Sequence, residues 1–181
     1  MSNLEEKFVS REEIFEGNVM HVVRDVIELP NGKKATREVC LHNGAVAIIP
    51  LLPDGRVIME RQYRYPHGRV VLEIPAGKLD SPDEIPLEAA KRELREETGA
   101  LSGKLTELGK IIPSSAILSE VIHLYLAEDL TFGERDLDED EFLDVEYIPL
   151  SDLKDMVMRG EIADAKTQIA VLKADEILKN R

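Results

Sequence analysis

Ala76-Gly77-Lys78-Leu79-Asp80-Ser81-Pro82-Asp83-Glu84 leads through Ile85 into Pro86-Leu87-Glu88-Ala89-Ala90-Lys91-Arg92-Glu93-Leu94-Arg95-Glu96-Glu97-Thr98-Gly99. The second half has the spacing of a helix. Leu87, Ala90 and Leu94 recur at helical intervals, Pro86 suits a first turn, and Gly99 stands where a left-handed cap belongs. At about 100° per residue, Glu97 lies about 40° from Glu93, and Glu96 lies about 60° from it on the other side. Three carboxylates therefore share one sector, while Leu87, Ala90 and Leu94 are read as an opposite face packing on a sheet. Like charges so placed repel by a few tenths of a kcal/mol per pair, a penalty that a divalent cation removes. Arg92 and Glu96, four apart, can pair, which orients Glu96 and leaves Glu93 and Glu97 for a cation. Gly77, directly after an expected strand, lets backbone pass close to the same edge, where a carbonyl can add another oxygen ligand. A glutamate-rich helix face is most often only solvated. That reading leaves the upstream glycine unexplained.

Outward from this segment, residues 8–62 read mostly as strands. Residues 20–29 and 35–41 flank Pro30-Asn31-Gly32-Lys33, a hairpin signal, and 45–52 and 56–64 flank Pro53-Asp54-Gly55, which predicts a second hairpin. A further strand is expected over 70–75. Beyond the helix, strands are predicted over 104–112 and 121–130, separated by Pro113-Ser114-Ser115, and over 145–150 after an acidic loop at 133–140. Two helices follow, one capped by Ser151, the other capped by Asp164 and running to about 178 with Ile169, Leu172 and Ile177 inward. Strands, helix, strands, helices is the order of a layered α+β domain with a mixed sheet.

Composition bounds the function. The 181 residues fit one domain, and 43% hydrophobic with 33% charged residues fits a folded globular chain. With 23 basic and 36 acidic residues the net charge is −13, which repels nucleic acid and anionic membranes while admitting a small phosphorylated ligand accompanied by cations. Cys40 has no second cysteine to pair with, no secretory leader is evident, and no apolar run is long enough to span a bilayer. The expected setting is the cytoplasm. His42, His67 and His123 lack companions at ligand spacing and are read as structural or exposed, Cys40 is read as packed, and Lys78 as a surface lysine.

The segment resembles the Nudix box, Gly-x5-Glu-x7-Arg-Glu-aliphatic-x-Glu-Glu-x-Gly-aliphatic. Arg92, Glu93, Leu94, Glu96, Glu97, Gly99 and Ala100 fall on it, and seven residues separate Glu84 from Arg92 as the box requires. Six residues, 78–83, separate Gly77 from Glu84 where the box has five, so either Glu84 or Asp83 fills the first acidic position. Glu73-Ile74-Pro75-Ala76-Gly77-Lys78-Leu79, Glu60-Arg61-Gln62-Tyr63-Arg64 and Asp164-Ala165-Lys166-Thr167 are similar to the ADP-ribose pyrophosphatase branch, a likeness spanning residues 8 to 178.

The resemblance implies an α/β/α sandwich with a mixed sheet over 43–181, preceded by an antiparallel strand region over 1–42 that contributes to a homodimer. It implies two or three Mg²⁺ or Mn²⁺ ions held by the carbonyl of Ala76 with Glu93, Glu97 and Glu141. Catalytic roles fall to Arg92, Glu96 and Glu139, the last as the group that activates water. Arg37, Arg64 and Glu73 are the implied substrate-binding residues, Arg37 acting across the dimer. The implied reaction splits ADP-ribose into AMP and ribose 5-phosphate. The alternatives are hydrolysis of another nucleoside diphosphate sugar, such as ADP-glucose or GDP-mannose, and a non-catalytic nucleotide-binding module. Two features depart from the branch: Ser115-Ala116 stands where a Pro-Gly pair is usual, and the chain has no tryptophan to stack on adenine, leaving Tyr63, Tyr65, Phe15 or Phe8.

Overall fold

The computed structural model describes residues 3–137 and 141–181. The chain divides into two compact units, one built from residues 1–43 and 112–120, the other from 44–111 and 121–181.

The first unit is a three-stranded antiparallel meander of β1 (Lys7–Glu16), β2 (His21–Glu28) and β3 (Lys34–Leu41). The predicted turn joins β2 to β3: Leu29 N–H donates to the Lys33 carbonyl at 2.8 Å, and Gly32 takes the positive φ, +78°, that such a turn demands. Along β2 the residues Val23, Asp25 and Ile27 are buried in strict alternation. The buried carboxylate Asp25 receives both arms of Arg11 from β1 at 2.7 Å. β1 itself is exposed along its whole length, including Phe8, Ile14 and Phe15. Segment 112–120 bonds to β3 through Cys40 N–H to the Ile117 carbonyl and Ser119 N–H to the Cys40 carbonyl.

The second unit holds two sheets. β4 (Ala45–Pro50) lies between β7 (Ala76–Lys78) and β9 (Ile122–Phe132), with β8 (Ala100–Ile111) beyond β9. The β4–β9 pair is parallel and the others antiparallel, so the sheet is mixed. β5 (Arg56–Arg64) is flanked by β10 (Leu143–Pro149) and β6 (Arg69–Glu73) in an antiparallel sheet. The helices are α1 (Pro86–Thr98), α2 (Leu150–Met158) and α3 (Ala165–Lys179). Every residue of β4 is buried, because both of its faces are covered. Ala45, Ala47 and Ile49 join a core with Leu153, Val171 and Ala174 of α2 and α3. Val46 and Ile48 join a second core with Ala89, Ala90 and Leu94 of α1. The fold is thus α+β with helices on both sides of a mixed sheet. Among the described residues no helix is long and apolar enough to cross a membrane.

Four expectations are corrected. The Pro53-Asp54-Gly55 turn forms, with Leu52 N–H bonded to the Arg56 carbonyl, yet β4 and β5 part into different sheets after one bridge, Leu51 to Val57. On α1 the buried residues are Ala89, Ala90, Leu94, Glu97 and Thr98, and Leu87 in the first turn is exposed. α2 starts at Leu150 with Pro149 at its cap, so Ser151 lies inside the first turn. On α3 Leu172 is exposed, whereas Ile169 and Ile177 pack against the core as expected, partly buried beside the fully buried Thr167, Ala170, Val171 and Ala174.

Candidate active site

The site grows from one edge of the mixed sheet. β7 is only three residues long, pinned to β4 through the pairs Ala47 with Ala76 and Val46 with Gly77. Just before it, the Pro75 carbonyl accepts from Ile48 N–H at 2.9 Å. α1 runs alongside, and Glu97 near its C-terminus, 4% exposed, accepts a hydrogen bond from Ala76 N–H at 2.9 Å. This bond ties the last helical turn to the strand. Gly99 then ends the helix in the left-handed conformation, φ +71°, its N–H capping the Arg95 carbonyl.

A Cβ on Gly77 would overlap the Glu93 carboxylate, the movable end of that side chain, so glycine here is what lets Glu93 settle where it does. Glu93 therefore lies against bare backbone. Its other neighbour is Arg92, whose Nη1 reaches Glu93 at 2.6 Å and Glu96 at 3.1 Å. Nη2 of Arg92 donates to the Lys78 carbonyl at 3.2 Å and approaches Glu84 at 3.4 Å. Arg92 thus pairs with Glu96 as its spacing suggested, but it holds Glu93 as well. Glu84, half-buried, also accepts from Asp80 N–H at 2.6 Å, whereas Asp83 is exposed. Of Glu84 and Asp83, it is Glu84 that meets Arg92.

A second network supports the same edge from β6 and α3. Glu73, 2% exposed, receives Arg64 through two bonds of 2.6 and 2.9 Å and Lys166 through one of 2.5 Å. Asp164 caps α3 as expected, accepting from Thr167 N–H at 2.9 Å and from the Thr167 hydroxyl at 2.6 Å, and it also pairs with Lys166 at 3.1 Å. The Thr167 hydroxyl in turn accepts Ile74 N–H at 3.0 Å. The helix start is in this way bonded to the chain that leads into Ala76.

The electrostatics are those of carboxylates crowded away from water. Burial pushes Glu93 up to about 7; Arg92 opposes the rise, and the charges of Glu96 and Glu141 add to it. Burial also raises Glu97 far above the usual carboxylate range, with Glu60, Glu93 and Glu141 adding to the effect. Glu60 rises for the same reasons, burial first and Glu73 next. The charge of Glu141 acts on all three, so Glu141 stands near the cluster. Glu139 falls at 138–140, outside the described residues.

Arg64, Glu73, Ala76, Arg92, Glu93, Glu96, Glu97 and Glu141 all belong to the second unit, and Arg37 belongs to the first, where it lies on β3 and pairs with Glu6. Tyr63 and Tyr65 are exposed, as are Phe8 and Phe15 in the first unit. Glu60, Lys166 and Thr167 were assigned no function from sequence. The signal for Glu60 was present: it directly follows the apolar run Val57-Ile58-Met59 inside a strand.

The donor set fits a hard divalent cation. Carboxylate and carbonyl oxygens suit Mg²⁺ or Mn²⁺, the bare face of Gly77 admits the Glu93 carboxylate, and among the described residues Glu60 Oε1 is buried with no hydrogen-bond partner. Among the described residues no three acidic, histidine or cysteine side chains stand in finished coordination geometry, since Glu93 is turned onto Arg92 and Glu97 onto Ala76 N–H. Such a cluster can concentrate cations beside a polyanionic substrate.

Known proteins match this architecture. A NUDIX domain profile matches residues 41–168, and a nucleoside diphosphate sugar hydrolase N-terminal domain profile matches residues 6–40. The chain is 43% identical to an ADP-ribose pyrophosphatase of Bacillus subtilis (strain 168) over 173 residues, covering 94% of this chain and 93% of that protein. It is 40% identical over 181 residues to the methanol dehydrogenase activator of Bacillus methanolicus, covering 98% and 97%. The crystal structure of an ADP compounds hydrolase superposes with a TM-score of 0.87 at 27% identity, covering 99% of this chain and 98% of that one.

Proposed function

The chain belongs to the Nudix hydrolase family, and we propose that it hydrolyses ADP-ribose to AMP and ribose 5-phosphate with Mg²⁺ as its working cation. The observation that carries this reading is the buried carboxylate cluster packed against the backbone of Ala76 and Gly77. Glu93, Glu97, Glu141 and the Ala76 carbonyl would hold two or three cations. Cations held there would supply neutralisation of the diphosphate and a more acidic bound water near pH 7.

The rest falls to the side chains. Hydrolysis adds one water across the diphosphate: a P–O bond forms to the water oxygen, and the bond from that phosphorus to the bridging oxygen breaks. The two phosphates leave on AMP and ribose 5-phosphate, sharing the proton released. Arg92 fixes Glu93 and Glu96 on adjacent turns, so that neither drifts as charge changes beside them. Arg64 presents a fixed guanidinium for phosphate or ribose. Glu73 is buried and bound to Arg64 and Lys166, so it serves the substrate through Arg64. Glu139 is the proposed acceptor of the water proton, and Arg37 of the first unit a further phosphate contact contributed across a homodimer. The same reading places the strand region of 1–42 at the dimer contact and the enzyme in the cytoplasm.

A second substrate reading has its own support. The profile matching residues 6–40 is named for nucleoside diphosphate sugar hydrolases, and the box recognises the diphosphate whatever hangs from either end. ADP-glucose and GDP-mannose are the substrates of that reading.

Phosphate release through a coupled phosphatase, with Mg²⁺ and separately with Mn²⁺, tests both. The panel holds ADP-ribose, ADP-glucose, GDP-mannose, NADH, a diadenosine polyphosphate and a nucleoside triphosphate. ADP-ribose is expected to lead in kcat/KM by about tenfold or more, equivalent to about 1.4 kcal/mol. A lead for another diphosphate overturns the substrate, and silence with both cations favours a nucleotide-binding module.

A further inference from the structure

The proposal concerns Glu60 and rests on the metal centre described above. β5 buries Val57, Ile58 and Met59 completely, and the strand then places Glu60 at 2% exposure, paired in register with Glu73 of β6 and Val145 of β10. The two carboxylates are neighbours with different fates. Glu73 takes bonds from both Arg64 and Lys166, whereas Glu60 Oε1 is buried without a hydrogen-bond partner among the described residues. Arg135 and Lys166 act on Glu60 only through space. A buried carboxylate normally finds a donor or a cation, and one left without either is strongly disfavoured.

The position of Glu60 supplies the explanation. Glu73 continues within three residues into Ala76, whose N–H binds Glu97, so the β5–β6 pair lies beside the backbone that faces the Nudix helix. Among the charges acting on Glu97, that of Glu60 is the largest. Glu97 therefore has carboxylates on two sides, Glu93 from its own helix and Glu60 from the sheet.

We propose that Glu60 is a further carboxylate of the metal centre, contributing from β5 to the binding of the cations held by Glu93 and Glu97. It lies 24 residues before the first glutamate of the Nudix box and outside that motif. Its unpartnered oxygen is the one an incoming divalent cation satisfies.

The test is cation binding by the full chain after removal of metal with chelator, with Mn²⁺ followed by its electron paramagnetic resonance and Mg²⁺ by calorimetry. The variants are Glu60→Gln, Glu60→Val and Glu97→Gln. Glu60→Gln keeps the size of the side chain and removes only its charge. It should weaken Mn²⁺ binding about ten- to a hundredfold and shrink the rise in Tm that Mn²⁺ produces, while its Tm in chelator is no lower than that of the parent. Glu60→Val should lose the same affinity, and it decides the matter if the glutamine variant folds poorly. Parent-like Mn²⁺ affinity in either folded variant overturns the proposal, and would assign Glu60 to a proton shared within the acid cluster. Glu97→Gln separates the two levels of inference: loss of Mn²⁺ there with retention in the Glu60 variants sinks only the role of Glu60. Retention in all three sinks the metal centre itself.

Discussion

Glu97 does two jobs with one carboxylate. It accepts Ala76 N–H, which fixes the end of α1 against β7, and it stands among the buried acids proposed to hold the cations. Glu97→Gln preserves an acceptor for Ala76 while removing the charge, so the fold should persist and Tm in chelator should rise as repulsion is relieved. The rate should fall by about 10³-fold or more, as expected when a metal site or an electrostatic stabiliser is removed; near-parent kcat with Mg²⁺ would contradict the assignment. Two glycines nearby give a contrast that separates site from fold. In Gly77→Ala the nearest atoms to the new methyl are those of the movable Glu93 carboxylate, so stability should change by less than about 1 kcal/mol, yet Glu93 must swing away and Mn²⁺ affinity should drop at least about tenfold. In Gly99→Ala the residue is held at φ +71° and the methyl would come 2.8 Å from the Gly133 carbonyl oxygen. That variant should lose about 1 to 3 kcal/mol in urea unfolding, because backbone must yield.

At the scale of elements, α1 and α3 hold the site between them. Leu94 is fully buried in the core on the α1 side of β4, so Leu94→Ala should cost about 2 to 5 kcal/mol by cavity formation. Thr167→Val keeps the shape of the side chain but strands Ile74 N–H and leaves Asp164 Oδ2 with only the backbone N–H of residue 167; a loss of about 1 to 3 kcal/mol is expected, measured by thermal and urea unfolding. If it cost nothing, the bond from α3 to the β6–β7 segment would not be holding the site edge. The extent of α1 was legible because its signals are local: proline in the first turn, left-handed glycine after the last. Its orientation was less legible. Ala90 and Glu97 lie only about 20° apart on a helix, so the acid belongs to the buried face rather than to an edge opposite it. Residue type argues for exposure, and the fold overrides it because Ala76 N–H and the cluster wait there. The Asp54-Gly55 turn was likewise readable, but a turn specifies a reversal of the chain and not which strands pair. The unbroken apolar run of β4 was the better sign, marking a strand covered on both faces rather than one arm of a hairpin. Spacing left Glu84 and Asp83 as alternatives, and contacts with Arg92 and Asp80 N–H single out Glu84, while Glu60 left only the sign of an acid ending an apolar run, because Glu73 and Glu97 stand far from it along the chain.

For the whole molecule, the acid cluster links stability, pH and cations. Glu60, Glu93 and Glu97 all bind protons more tightly in the folded chain than in the unfolded one, chiefly because burial disfavours their charge. Between the unfolded carboxylate range and the raised folded values the native state therefore carries more protons. The stability of the metal-free protein must then fall as pH rises through that window. For Glu93, raised from 4.5 to about 7, the window is about pH 4.5 to 7, and a rise of that size corresponds to about 3 kcal/mol at most. The net charge of −13 works in the same direction by general repulsion. A bound divalent cation reverses the sign for these groups, since it competes with their protons and offsets their charge. In chelator, Tm should accordingly decline from pH 5 to 8, while in excess Mg²⁺ it should hold level or rise, so that the gap between the two curves widens with pH. Glu97→Gln should flatten the chelator curve and nearly close the gap. Closure of the gap without flattening would leave general repulsion as the cause of the decline, and a chelator Tm that climbs with pH would mean that the carboxylates are stabilised as anions by the protein alone.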